Sequence, residues 1–323
     1  MSHIILSQYL KEKTGCLTPE LASVIDAIAK CCHIIDYHLQ QGAIAGILGS
    51  AEHENVQGET QKKLDIFSND QFIDALQKHP NVGGFASEEL EDFTPAQENG
   101  EYLVLFDPLD GSSNIDINMC VGSIFSVLPA KQAKTELEDF MQPGSCQVAA
   151  GYVMYGPSTM LALTFGDGVA LFTYDIDIKS FVLTQEHVKI PEQTQEFAIN
   201  SSNHRHWEKP VQRYISELLD GKTGVRGKDY NMRWIACMVG DIHRILSRGG
   251  VFMYPYDLKN PGKPGRLRLM YEANPMSMLI EQAGGEATTG RMRIMDVQPT
   301  GLHQRVPVIL GAKEEINIIV SYH

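Results

Sequence analysis

Residues 101–114 read EYLVLFDPLDGSSN, and this stretch decides the fold. Residues 101–106 are mostly apolar and stop at a carboxylate, Asp107, which is the pattern of a buried strand running into a site. Pro108 fixes its own φ and has no N–H, so the ladder is expected to end at that carboxylate. Gly111 permits a backbone conformation that other residues resist and lets the chain reverse. Ser112, Ser113 and Asn114 bring short polar side chains and free N–H groups, suited to a phosphate at a helix start. Asp107 and Asp110, three apart across the turn, offer hard oxygen ligands to one Mg²⁺ cluster. An Asp-Gly turn with a capping serine is by itself common in α/β proteins. Taken as a unit, strand, proline, paired acids and serines read as the loop of a metal-dependent phosphatase.

Working outward, residues 82–90 (VGGFASEEL) form a short strand whose end delivers Glu88 and Glu89. Two strands ending in acids at one edge match the way open α/β sheets bind ligands. Residues 265–277 (GRLRLMYEANPMS) alternate as a strand, with Leu267, Leu269 and Tyr271 on one face and Arg266, Arg268, Met270 and Glu272 on the other. A buried glutamate beside two arginines is costly without partners, so the cluster is not idle.

Thr18-Pro19 caps a helix carried by Leu21, Val24, Ile25, Ile28, Cys32, Ile35 and Leu39 to about Gly42. Residues 42–58 are small and polar and read as a mobile connection. Leu64, Phe67, Phe72, Ile73 and Leu76 make a second helical stripe, with Glu59 and Asp65 as solvated charges. After a surface insertion at 130–145, strands are expected at 147–155, 159–164, 169–174 and 181–184. The polar text at 189–196 marks a boundary between domains 1–190 and 191–323. Beyond it lie a strand at 196–199 leading to Asn200, a helix carrying Ile235, Met238, Ile242 and Leu246, and a strand at 249–255.

A chain of 323 residues can hold two substantial cores. The net charge of −13 argues against nucleic-acid and anionic-membrane partners. It leaves phosphorylated substrates open, because bound cations reverse the local field. The six cysteines have no zinc-like spacing and are expected to be reduced thiols of a cytoplasmic protein. No signal-peptide layout or bilayer-spanning run is expected.

The loop resembles the signature of the Mg²⁺-dependent, Li⁺-sensitive sugar and inositol phosphatases. Its extension GSSNID, followed by VGSIFSV at 121–127, is similar to the bacterial type of class I fructose-1,6-bisphosphatase, over about residues 19–311. The resemblance implies a layered αβαβα sugar-phosphatase fold with two sheet-containing domains. It implies hydrolysis of the 1-phosphate of fructose 1,6-bisphosphate with about two or three Mg²⁺ per subunit, Mn²⁺ being an alternative. By the same resemblance Glu88, Asp107, the carbonyl of Leu109, Asp110 and Glu272 are metal ligands. Asp65 and Glu89 are candidates to deprotonate the attacking water, Glu59 supports the site, and a lid is implied within 42–58.

The reacting phosphate falls to Asp110, Gly111, Ser112 and Ser113, and the remote end of the substrate to Asn200, Tyr254 and Arg266. Arg266 replaces a more usual lysine, and Asn203 stands where a tyrosine is usual. Trp234 likewise replaces a tyrosine, and core packing is an equal reading for it. Arg268 would pair with Asp110, and Arg233 would be lent to a neighbouring subunit of a homo-oligomer, expected to be a tetramer.

Members inhibited by AMP use a TGEL-type turn, a Lys-Tyr pair and an arginine. Thr18-Pro19-Glu20-Leu21, Glu101-Tyr102 and Pro129 stand there instead, so weak or absent AMP inhibition is expected. Competing readings are a related phosphatase for sedoheptulose 1,7-bisphosphate or an inositol phosphate, dual activity on both sugar bisphosphates, and an inactive sugar-phosphate sensor. The inositol enzymes' WDxA-type motif is absent, and a sensor has no need of so many placed carboxylates.

Overall fold

The computed structural model describes residues 4–13, 15–45, 49–54, 60–259, 261–262 and 264–323. Among them, the larger sheet has eight strands and the smaller principal sheet five. The larger runs in the order Ser180–Gln185, Ala170–Asp175, Met160–Thr164, Ala149–Tyr155, Val121–Pro129, Tyr102–Asp110, Val82–Ser87 and Thr94–Pro95. Neighbours are antiparallel except Val82–Ser87 against Tyr102–Asp110, which run parallel. The smaller orders Asn231–Met232, Glu196–Ile199, Val251–Tyr254, Val308–Gly311 and Glu286–Thr288, its first three strands parallel.

Strand alternation builds the layers. In Tyr102–Asp110, Val104 and Phe106 pack under the helices Leu6–Glu12, Pro19–Gln41 and Lys63–Gln77, while Leu103 and Leu105 face the opposite core. That second core is filled by the helices Met238–Arg248 and Asn274–Gln282 and is shared with Ala198, Phe252 and Leu310 of the smaller sheet. The far side of the smaller sheet buries Phe197, Val251, Met253 and Ile309 against the helices Lys209–Leu219 and Lys313–Ser321. The stack is therefore αβαβα.

The first long helix starts and stops as its residues dictate. Thr18 Oγ1 accepts the Leu21 N–H at 3.1 Å, Pro19 takes the first position, and Gly42 closes the end at φ 48°. The four strands expected between 147 and 184 are present, as are those leading to Asn200 and Tyr254. The helix after Arg233 begins at Met238, so Ile235 precedes it. Of the connection at 42–58, Gly42–Ala45 is a 3₁₀ turn and Ser50–Glu54 a strand, with the remainder largely outside the described residues.

Two expectations are corrected. Pro108 does not end its strand, which continues to Asp110 with a bulge between Asp107, opposite Ile124, and Asp110, opposite Gly122. The missing N–H is absorbed by the bulge, and Ser123 Oγ donates to the Pro108 carbonyl at 2.7 Å. The alternating stretch at 265–277 is a strand only at Leu267–Arg268, then a π turn over Leu269–Ala273 that runs into the helix Asn274–Gln282. The Glu272 carboxylate turns back to accept the Arg268 N–H at 2.6 Å, which winds the chain where alternation alone suggested extension.

Candidate active site

The parallel pair of strands assembles the acids. Parallel neighbours end at the same edge, so Glu88 follows Ser87 beside Phe106-Asp107, with the Glu88 N–H donating to the Phe106 carbonyl at 3.1 Å. The Leu109 N–H donates to Asp107 Oδ1 at 3.0 Å and fixes that carboxylate inside the turn. Asp110 reaches across the inner layer, where its Oδ2 accepts the Val239 N–H at 2.8 Å and the Cys237 thiol at 3.1 Å. It thereby caps the helix Met238–Arg248, whose own first residues supply no side-chain cap among the described residues. Glu272 arrives from the π turn, and ligand atoms of Asp107, Asp110 and Glu272 lie within 4.8 Å of one another.

Burial pushes the protons of this cluster up. Asp107 is raised well above the carboxylate range by burial and then by Glu88, Asp110 by burial, and Glu272 to about 8 by burial and then by Glu88. Buried carboxylates that raise one another's pKa and converge with hard oxygens fit a divalent cation, whose charge would relieve that repulsion.

Arg268 supplies part of the compensation. The resemblance paired it with Asp110; here its Nη2 meets Glu88 Oε1 at 2.6 Å and its Nη1 lies 4.0 Å from Glu272, while Asp110 feels its charge. The π turn and the Arg268 N–H bond to the Glu272 carboxylate bring the two residues within salt-bridge range.

These groups line one cavity of about 520 Å³. Its wall includes Glu88, Glu89, Asp107, Leu109, Asp110, Glu272 and Arg268, with Gly111, Ser112 and Ser113 of the turn. Gly111 sits at φ 82°, and a Cβ there would come within 2.8 Å of the Cys237 Cβ, so the turn accepts no side chain. Asn200, Tyr254, Arg266 and Trp234 also line the cavity. Trp234 stacks on Phe252 at 5.9 Å and meets Tyr254 edge-on at 5.6 Å, so it both packs and lines; Arg266 lies 5.8 Å over the Tyr254 ring.

Other expected residues lie outside the cavity wall. Asp65 is buried rather than solvated. It accepts the Lys62 N–H at 2.7 Å, its Oδ1 has no hydrogen-bond partner among the described residues, and burial raises it to about 7, with Glu89 and Glu88 adding to the shift. Asn203 belongs to the 3₁₀ turn Ser201–His206 and is not among the lining residues. Arg233 is exposed, donates to the Met232 carbonyl at 3.1 Å, and does not line the cavity of its own chain. Glu59 lies outside the described residues.

Sequence reasoning missed Asp241 and Cys237, which also line the cavity. Asp241 accepts the Ile235 N–H at 3.2 Å and steadies Ala236, which holds a left-handed φ of 62°. No periodicity or motif marks either residue.

The fructose-1-6-bisphosphatase N-terminal domain model matches residues 1–186 and the C-terminal domain model residues 190–323. The chain belongs to the fructose-1,6-bisphosphatase family. It is 71% identical to the class 1 fructose-1,6-bisphosphatase of Acinetobacter baumannii strain SDF and 69% identical to that of Acinetobacter baylyi, each over the whole of both chains. Among solved structures, it is similar to Leishmania major fructose-1,6-bisphosphatase in holo form, with a TM-score of 0.93, 38% identity and coverage of 100% of this chain and 99% of the other. The T-state structure of the Leishmania enzyme gives a TM-score of 0.88 at 37% identity, with the same coverage. Membership makes the chain a phosphatase of the fructose-bisphosphatase type, and the cavity joins the loop that earned the resemblance to the second motif at 265–277.

Proposed function

We propose that the protein hydrolyses the 1-phosphate of D-fructose 1,6-bisphosphate, with Mg²⁺ or Mn²⁺, to fructose 6-phosphate and inorganic phosphate. The observation that carries this reading is the convergence of Asp107, Asp110 and Glu272 in one cavity with Ser112 and Ser113 of the turn and with polar and aromatic side chains of the smaller sheet's half. Phosphate-monoester hydrolysis is among the slowest uncatalysed reactions, so charge stabilisation and positioning are the main tasks.

Glu88, Asp107 and the Leu109 carbonyl would hold one cation, and Asp110 and Glu272 would help hold another. Bound there, divalent cations would neutralise the phosphoryl oxygens and acidify a water. Asp65 and Glu89 act as a coupled pair of carboxylates that takes the proton of the attacking water. A pKa near 7 at Asp65 suits a group that must both gain and lose that proton at neutral pH. Ser112 and Ser113 cradle the reacting phosphate, and Arg268 orients Glu88 and Glu272 while its charge offsets part of the burial that raises Glu272.

Asn200, Tyr254 and Arg266 anchor the remote end of the sugar bisphosphate and so fix the reacting end. Asn203 and Glu59 support the site from its margins. Arg233, exposed on its own chain, suits a role lent to a neighbouring subunit of a homotetramer. We further propose a cytoplasmic enzyme of two domains, 1–190 and 191–323, with weak or no inhibition by AMP.

Phosphate release with Mg²⁺ from fructose 1,6-bisphosphate, sedoheptulose 1,7-bisphosphate and inositol 1-phosphate tests the reading, with Glu88→Gln alongside. Strong preference for the first, falling at least about a hundredfold in the variant, is the expected result. Equal rates on the two sugar bisphosphates, or an unimpaired variant, would overturn it. In an AMP titration, no inhibition is expected in the low-micromolar range.

A further inference from the structure

A chain of hydrogen bonds runs from the turn that carries Glu89 into the helix that carries Asp65. The Glu89 N–H donates to Ser87 Oγ at 3.2 Å, and Ser87 Oγ donates to Asn69 Oδ1 at 2.7 Å. A hydroxyl has one hydrogen to give and lone pairs to receive with, so Ser87 can serve both partners at once. Ser87 is fully buried and Asn69 nearly so, which keeps the link out of reach of water.

The two ends of the link lie where the proposed chemistry needs them. Asn69 and Asp65 stand four residues apart in the helix Lys63–Gln77, on one face and about one turn from each other. Ser87 ends the strand Val82–Ser87, and Glu89, two residues on, lines the cavity. The neighbouring backbone is held by other means. The Glu88 N–H donates to the Phe106 carbonyl at 3.1 Å, the Leu90 N–H to the Ser87 carbonyl at 3.3 Å, and His303 Nε2 to the Glu91 carbonyl at 3.1 Å. Of these groups, the Glu89 N–H is the one tied to the helix of Asp65.

Resting on the reading of Asp65 and Glu89 as the pair that takes the proton of the attacking water, we propose that Asn69 and Ser87 are positioning residues for that pair. The link sets where Glu89 sits against the helix face that bears Asp65, so that both carboxylates address one water. Neither Asn69 nor Ser87 is among the residues lining the cavity, so they act through Glu89 and not on the substrate. Loss of the Ser87 hydroxyl should release Glu89 while Glu88 keeps its own bond to the Phe106 carbonyl.

Ser87→Ala and Asn69→Ala cut the link at two different places, and each is measured alone and in a Glu89→Gln background. Alone, each should lower kcat for fructose 1,6-bisphosphate at least about tenfold, with KM and the half-saturating Mg²⁺ concentration changed less than about twofold. Groups that act as a unit are not additive, so in the Glu89→Gln background the same substitutions should cost less than about twofold more. Hydrogen exchange of residues 87–91, read without substrate or metal, should quicken in both variants. Unchanged exchange, parent-like kcat in either variant, or an equally large further loss in the Glu89→Gln background would overturn the proposal. Parent-like hydrolysis by both Glu89→Gln and Asp65→Asn would count against the proton-taking pair and the proposal with it, whereas a slow Glu89→Gln beside a fast Ser87→Ala counts against the link alone.

Discussion

Asp110, half-buried, and Asp241, buried, both present carboxylates to the cavity, and they differ in how they could be found. Asp110 announces itself in sequence because a strand, a proline, a second acid and a glycine surround it at fixed offsets. Asp241 sits in the first turn of an amphipathic helix, where an acid is ordinary. Only the fold reveals that it braces the left-handed Ala236. Burial raises Asp241 to about 7, against about 3.9 for an unfolded chain. The folded state therefore holds this proton more tightly. The resulting stability is fully present below about pH 4 and is lost as pH rises to about 7, by at most ~1.4 kcal/mol per pH unit. Asp241→Asn should flatten that part of the pH–stability curve in denaturant unfolding. A variant curve parallel to the parent's between pH 4 and 7 would contradict the assignment.

At the scale of elements, the strands at the heart of the larger sheet were legible because both of their faces are buried and read as apolar runs. Residues 265–277 misled because alternation is not a sufficient mark of a strand. The hydrogen bond from the Arg268 N–H to the Glu272 carboxylate is a contact that pattern cannot encode. A comparable hidden contact joins the helices of the outer layer. Glu315, fully buried, accepts from Tyr214 Oη at 2.8 Å and Tyr230 Oη at 2.7 Å and pairs with Arg226. Removing the cation leaves a charge stranded in the core, so Arg226→Ala should destabilise the protein by about 3–5 kcal/mol. Chemical denaturation measures this directly, and a loss under about 1 kcal/mol would mean that Lys228, 3.6 Å away, carries the pair alone.

At the scale of the whole molecule, the five layers place the acids where the parallel strand pair ends and where the inner-layer helix begins. Sequence predicted which residues meet from the DPLDGSS and GRLRLMYE stretches, yet the way Asp110 caps a helix over a hundred residues away is a property of the stacked sheets. Arg233 belongs to this scale too. Its absence from its own cavity predicts that Arg233→Ala raises KM for fructose 1,6-bisphosphate several-fold with little change in fold, and that inactive Asp107→Asn subunits mixed with Arg233→Ala subunits recover activity. Mixtures with no gain over either parent would remove the lent arginine.

If Asp107, Asp110 and Glu272 hold a catalytic cation, as proposed, hydrolysis depends on that cation. The most direct measurement is phosphate release from fructose 1,6-bisphosphate as Mg²⁺ is withdrawn with chelator and returned, in the parent and in Asp107→Asn. Activity in the parent should vanish and return with Mg²⁺, and the variant should stay at least about a hundredfold lower at any concentration. Hydrolysis that persists in chelator, or a variant rescued fully by Mg²⁺, would contradict it.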